Sequence, residues 1–93
     1  MNMEVNGYKI ERGVNLSGAD FSGANLSGAD LFGANLTNTI LTGANLFGED
    51  ITGTSFKSGN LTGAHLAEIR GATGVNMTWA TLPDETIHDE SKS

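Results

Sequence analysis

The sequence predicts an all-β fold in which the chain winds as a solenoid, and three observations carry that prediction. Large apolar residues recur every five positions from Leu16 to Leu66. A small residue or valine stands two positions before ten of these eleven. Glycine stands two positions after eight of them. A sustained period that matches neither helix nor strand marks a repeat architecture.

The apolar positions are Leu16, Phe21, Leu26, Leu31, Leu36, Leu41, Leu46, Ile51, Phe56, Leu61 and Leu66. On an α-helix a step of five residues turns about 140°, so these side chains would scatter around the axis. In a flat strand, successive members would point to opposite faces and half would lie in water. The chain must therefore turn a corner every five residues, so that each central residue, i, points inward. Glycine at i+2 suits such corners because they need permissive backbone. Asn or Asp fills i−1 in eight of eleven repeats, with Ser and Thr common at i+1.

These residues spell A(D/N)LxG, as in Ala24-Asn25-Leu26-Ser27-Gly28 and Ala44-Asn45-Leu46-Phe47-Gly48. The string resembles the pentapeptide-repeat family over roughly residues 14–83. The resemblance implies a right-handed quadrilateral parallel β-helix with four repeats per coil and about 3.5 coils, with i and i−2 inward. Residues twenty apart would then stack in columns. Three columns read Leu16/Leu36/Phe56, Phe21/Leu41/Leu61 and Leu26/Leu46/Leu66. The fourth, Leu31/Ile51/Gly71, loses its side chain at Gly71, and the extra volume of Phe56 is expected to fill part of that gap.

The expected organisation is an N-terminal cap over 1–13, repeats over 14–83 and an acidic tail over 84–93. Solenoid ends expose apolar surface and unpaired backbone, so they need covering. Val5, Tyr8 and Ile10 lie out of phase with the repeats and are the expected N-terminal cap; Trp79 and Leu82 are the C-terminal candidates. The phase slips near 69–74: Val75–Trp79 and Ala80–Asp84 fit the template only with one inserted residue, read as a six-residue corner or bulge.

The net charge is −6, and half of the excess lies in residues 84–93. The body over 14–83 carries only −3. No basic footprint for nucleic acid is present, so no direct nucleic-acid partner is expected. Cysteine is absent, which removes disulfides and thiolate chemistry. No signal-like or membrane-length apolar segment is visible, and the expectation is a cytoplasmic protein without a membrane partner.

Candidate sites are few. Asn15/Asn35 and Asn25/Asn45 should stack as outward ladders bonded to neighbouring backbone. Asp30 and Asp50 should stack one strand spacing apart, either as a cation site or as a solvated face offset by Arg70. The second reading is favoured, since a metal site needs more converging ligands. Glu49 occupies an inward position, where an unpaired carboxylate is costly. It is expected to swing outward or to meet Lys57; a perturbed catalytic acid is the alternative. Phe32 and Phe47 at i+1, with Ile40 at i−1, are the candidate partner or dimer surface. His65 and His88 share no metal-ligand spacing.

No catalytic constellation, cofactor motif or metal set emerges. The reading is a non-enzymatic structural or protein-interaction module, as monomer or weak homodimer. The resemblance raises one alternative, a DNA-mimic modulator of DNA gyrase or another DNA-binding protein. A body of 3.5 coils spans ~17 Å at the strand spacing, over which duplex DNA carries ~10 charges. The body's −3 falls well short of that density.

Overall fold

The computed structural model describes residues 3–71 and 73–83. It begins with a hairpin of β1, Met3–Val5, and β2, Tyr8–Ile10, paired antiparallel with Met3 opposite Ile10 and Val5 opposite Tyr8. Asn6 and Gly7 form its two-residue loop, both with positive φ (52° and 83°), as the primed hairpin turns require. Ile10 is buried, Met3 and Val5 pack on the core edge, and the Tyr8 ring tilts against Phe21 at 5.2 Å between centroids.

After the hairpin the chain advances in five-residue steps. Each step is a tight turn in which the i−2 amide of the next repeat donates to the carbonyl of residue i, as from Ala24 to Phe21 (2.9 Å) and from Ala44 to Leu41 (2.9 Å). The third residue of each turn has positive φ, the type II pattern. Asn38, Ser58, Glu68 and Trp79 adopt it without being glycine.

Successive coils join by parallel bridges between residues twenty apart, such as Asn15–Asn35–Ser55, Asp20–Ile40–Asn60 and Asn25–Asn45–His65. Four repeats therefore make one coil here. The bridges are single residue pairs because the chain turns again before a longer strand can form. Ladder bonds are short, for instance Leu26 N–H to Asn45 O at 2.9 Å and Asn45 N–H to Ala24 O at 2.8 Å. The Asn ladders stack as expected. Each Asn Oδ1 accepts from the amide two residues on, as Asn25 does from Ser27 (3.0 Å), which fixes the turn from outside.

The core is the stack of i and i−2 side chains. Ten of the eleven apolar i residues are buried, and Leu66 is half-buried in the last coil. Thr39 and Thr54 take i−2 slots because their hydroxyls donate to carbonyls, Leu36 O (2.7 Å) and Leu31 O (2.6 Å). Gly59 lies across from Thr39: a Cβ at Gly59 would sit 3.0 Å from Phe56 O and 3.5 Å from Thr39 Oγ1.

The inserted residue is a bulge at Arg70–Gly71. Elsewhere one residue both donates its amide and accepts at its carbonyl at each bridge. Here Arg70 N–H donates to Glu49 O (3.0 Å), while Gly71 O accepts from Ile51 N–H (3.0 Å). Two residues thus oppose Asp50. Beyond them the spacing is twenty-one, with Ser55–Asn76 and Asn60–Thr81 paired.

This corrects the fourth inward column. Gly71 stacks on the outward Asp50, not beneath Ile51, so the inward column as expected does not continue through Gly71. The gap that Phe56 was expected to fill is therefore not at Gly71. Trp79 also differs from expectation. It is 55% exposed at an i+2 corner, so among the described residues it does not close the C-terminal end, while Leu82 is half-buried. The acidic tail over 84–93, with His88, lies outside the described residues.

Candidate functional site

One corner of the solenoid departs from the regular pattern. The neighbouring corner makes three bonds between coils: Gly23 N–H to Thr42 O, Asn45 N–H to Ala24 O and Leu26 N–H to Asn45 O. Their counterparts at Asp30/Asp50 would be Gly28 N–H to Phe47 O, Asp50 N–H to Ala29 O and Leu31 N–H to Asp50 O. None forms, and Asp30 and Asp50 make no bridge.

Glu49 accounts for the gap. Its counterpart twenty residues earlier is Ala29, so a side chain four heavy atoms longer enters a slot that holds a methyl group in the preceding coil. Glu49 is only 1% exposed, and neither carboxyl oxygen has a hydrogen-bond partner among the described residues. It neither swings outward nor bonds Lys57, contrary to the expectation from sequence. Burial pushes its carboxyl up to about 7. The nearby Gly28 and Ala29 amides oppose that rise without reaching hydrogen-bond geometry. Asp30 reinforces it and Arg70 opposes it.

Around Glu49 lies a cleft of about 270 Å³, lined by Arg12, Asp30, Asp50, Arg70 and the backbone of Gly28, Ala29 and Gly48. Arg12 reaches in from the N-terminal end. Its Nε donates to Asp30 Oδ2 at 2.9 Å, and its guanidinium lies 4.9 Å from the centre of the Phe32 ring. Asp30 is held below its usual range by the Phe32 amide and then by Arg12. Asp50 is likewise lowered, chiefly by the Thr52 hydroxyl at 2.6 Å. Arg70, expected to offset the stacked carboxylates, lines the cleft, but its Nε donates to Gly48 O (3.2 Å). Arg12 makes the ion pair instead, a contact hidden from the twenty-residue columns because Arg12 precedes the repeats.

The carboxylates and guanidinium groups lining the cleft are suited to proton exchange or to binding a charged group. Among the described residues no cluster of three His, Cys, Asp or Glu has metal-holding geometry. The candidate surface residues are exposed: Phe32 by 41%, Ile40 by 41% and Phe47 by 48%. They follow three different corners, so they share no single flat face. Among the described residues no helix is long and apolar enough to cross a membrane.

Five-residue turns, parallel bridges twenty residues apart and a column core define a β-solenoid of the pentapeptide class. The pentapeptide-repeat profile matches eight copies over residues 12–48 and 29–67, and the chain belongs to that family. Among solved structures it resembles HetL, a pentapeptide repeat protein involved in heterocyst differentiation regulation in the cyanobacterium Nostoc. The two share 27% identity and a TM-score of 0.78, over 83% of this chain and 35% of HetL. The chain thus spans about a third of HetL's length. A pentapeptide repeat protein of the Arabidopsis thaliana thylakoid lumen aligns at 28% identity over 87% of this chain and 73% of its own, with a TM-score of 0.42. No curated protein sequence matches the chain.

Proposed function

We propose that this chain is a non-enzymatic interaction module, built on a right-handed quadrilateral β-helix of about 3.5 coils over residues 14–83. The observation that carries the reading is the exposure of Phe32, Ile40 and Phe47 at outward positions of the repeat body, where Asn, Ser and Thr predominate. Large apolar side chains held outward by a rigid backbone offer contact area without the ordering cost of a loop. The likeness to HetL, a protein involved in regulation, supports the same reading. DNA mimicry is not favoured, because the −3 of the body is too sparse, and Arg12, outside that count, further offsets the acidic corner.

Site-specific photocrosslinking tests the interaction reading. A benzophenone side chain is placed at Phe47 in one variant and at exposed Ser17 in another, in the cells that make the protein. A discrete protein adduct, or a crosslinked dimer, at position 47 but not at 17 is the expected result. Equal labelling at both positions, or none at 47, overturns the reading.

A further inference from the structure

Two departures from the repeat meet at one corner, and neither is needed to build a solenoid. Glu49 replaces a small inward residue, and the Arg70–Gly71 bulge sits at the coil next to it. Both line the cleft that opens where the ladder is interrupted. Bulges commonly re-aim a side chain at a functional site, and this one leaves Arg70 exposed at the cleft edge.

The hydrogen-bond inventory of the cleft identifies what is missing. Asp30 has Arg12 and the Phe32 amide. Asp50 has the Thr52 amide and hydroxyl. Arg70 has the Gly48 carbonyl. Glu49 alone is both buried and unpartnered among the described residues. With all groups ionised, three carboxylates face two guanidinium groups, leaving one negative charge. Burying a charge without a partner is expensive, so the ionised Glu49 carboxylate is best complemented by one cation that also donates hydrogen bonds.

We infer that the cleft is a binding site for a single guanidinium or ammonium group, with the Glu49 carboxylate as its acceptor and Arg70 as the movable side chain at its mouth. Asp30 and Asp50 flank the incoming charge, and at the cleft lining the carbonyls of Ala29 and Asp50, which accept no backbone bond among the described residues, face its remaining N–H groups. The cation comes either from a free small molecule or from an arginine or lysine side chain of another protein. The inference adds a site and a chemistry to the interaction reading. Because its probe is a small cation, its failure would leave that reading standing.

The test titrates the isotope-labelled chain, followed by amide NMR, at constant ionic strength. The probes are methylguanidinium and a blocked peptide with a single arginine, with sodium chloride and the matching citrulline peptide as controls. Saturable shifts centred on Gly28, Ala29 and Asp50 are expected with one or both cationic probes. Tighter binding of the peptide assigns the source to a protein side chain, and tighter binding of methylguanidinium to a free cation. Glu49→Gln keeps the shape and removes the charge, and should weaken binding by at least about tenfold, the loss of one charge-assisted hydrogen bond. Arg70→Gln removes the competing internal cation from an exposed position and should tighten it. No saturable binding, equal binding by Glu49→Gln, or unchanged or weaker binding by Arg70→Gln overturns the inference.

Discussion

The backbone of Gly71 lies against the side chain of Asp50 so closely that a Cβ there would collide with Asp50 Oδ1 and Thr52 Oγ1. Those two oxygens are bonded to each other by the Thr52 hydroxyl (2.6 Å), so admitting a Cβ would displace both and break that bond. Gly71→Ala is therefore expected to destabilise the fold by roughly 1–3 kcal/mol, the range for inserting a methylene into filled space. Urea unfolding measures it. The second variant Thr52→Ala, combined with Gly71→Ala, should recover part of the loss.

Thr54 ties the coils together beside the interrupted ladder. Its buried hydroxyl donates to Leu31 O at 2.6 Å, across the coil boundary where Leu31 N–H has no ladder partner. Leu31 O keeps its turn bond from Ala34 N–H (2.9 Å), so the carbonyl is not orphaned when the hydroxyl is lost. Thr54→Val should cost about 1 kcal/mol, the net worth of one ordinary hydrogen bond. Hydrogen exchange at Ala34 and Ser55 should quicken more than at Ala24 and Asn45, two corners away.

Burial of Glu49 makes stability depend on pH. Its carboxyl rises from an ordinary 4.5 to about 7, so the folded chain holds that proton more tightly than the unfolded chain. The stabilising contribution is full below 4.5 and is lost as pH rises through 7. Asp20, Asp30 and Asp50 act in the opposite sense. Each is lowered by hydrogen bonds from its ordinary 3.8, so each stabilises above that value and loses its effect as pH falls through the depressed folded value. Maximum stability should therefore fall at about pH 4–5. The loss by pH 8 should reach at most roughly 3 kcal/mol, from the Glu49 shift alone. Thermal melts across this range check it, and Glu49→Gln should flatten the profile above pH 5.

Glu49→Ala restores the small residue that the repeat carries at this slot in the neighbouring corners. It should allow the three missing bonds between coils to form. At pH 8 the variant is expected to be more stable than the native chain by about 1–3 kcal/mol, since it removes an unpaired buried charge. Amide exchange at Gly28, Leu31 and Asp50 should slow together. A less stable variant at pH 8 would mean that the carboxylate is held by favourable contacts instead.

The solenoid was legible because each repeat states the same local instruction. Inward residues such as Phe21 and Leu46, and the positive-φ corners at Gly23 and Gly48, follow from a five-residue period alone. The inserted residue was also visible as a change of phase. Its position at Arg70–Gly71 was not, because a bulge is defined by which residue gives the amide and which the carbonyl. That choice depends on the close approach to Asp50. Glu49 stands out in its slot, but a buried unpaired carboxylate is costly, so the sequence points it outward, whereas here it turns inward where the bonds between coils are missing. Arg12 was assigned to the cap, and its pairing with Asp30 depends on how the hairpin leads into the first coil.

Glu49 points inward at an opened corner, and the ionisation of that one side chain tests this placement most directly. A carbon-13 NMR titration of the Glu49 carboxyl in the intact chain should give a midpoint near 7, with the Gly28 and Ala29 amides shifting at the same pH. A midpoint at or below the ordinary 4.5 would place the carboxyl in water or on a cation, and would contradict the buried, unpartnered arrangement described above.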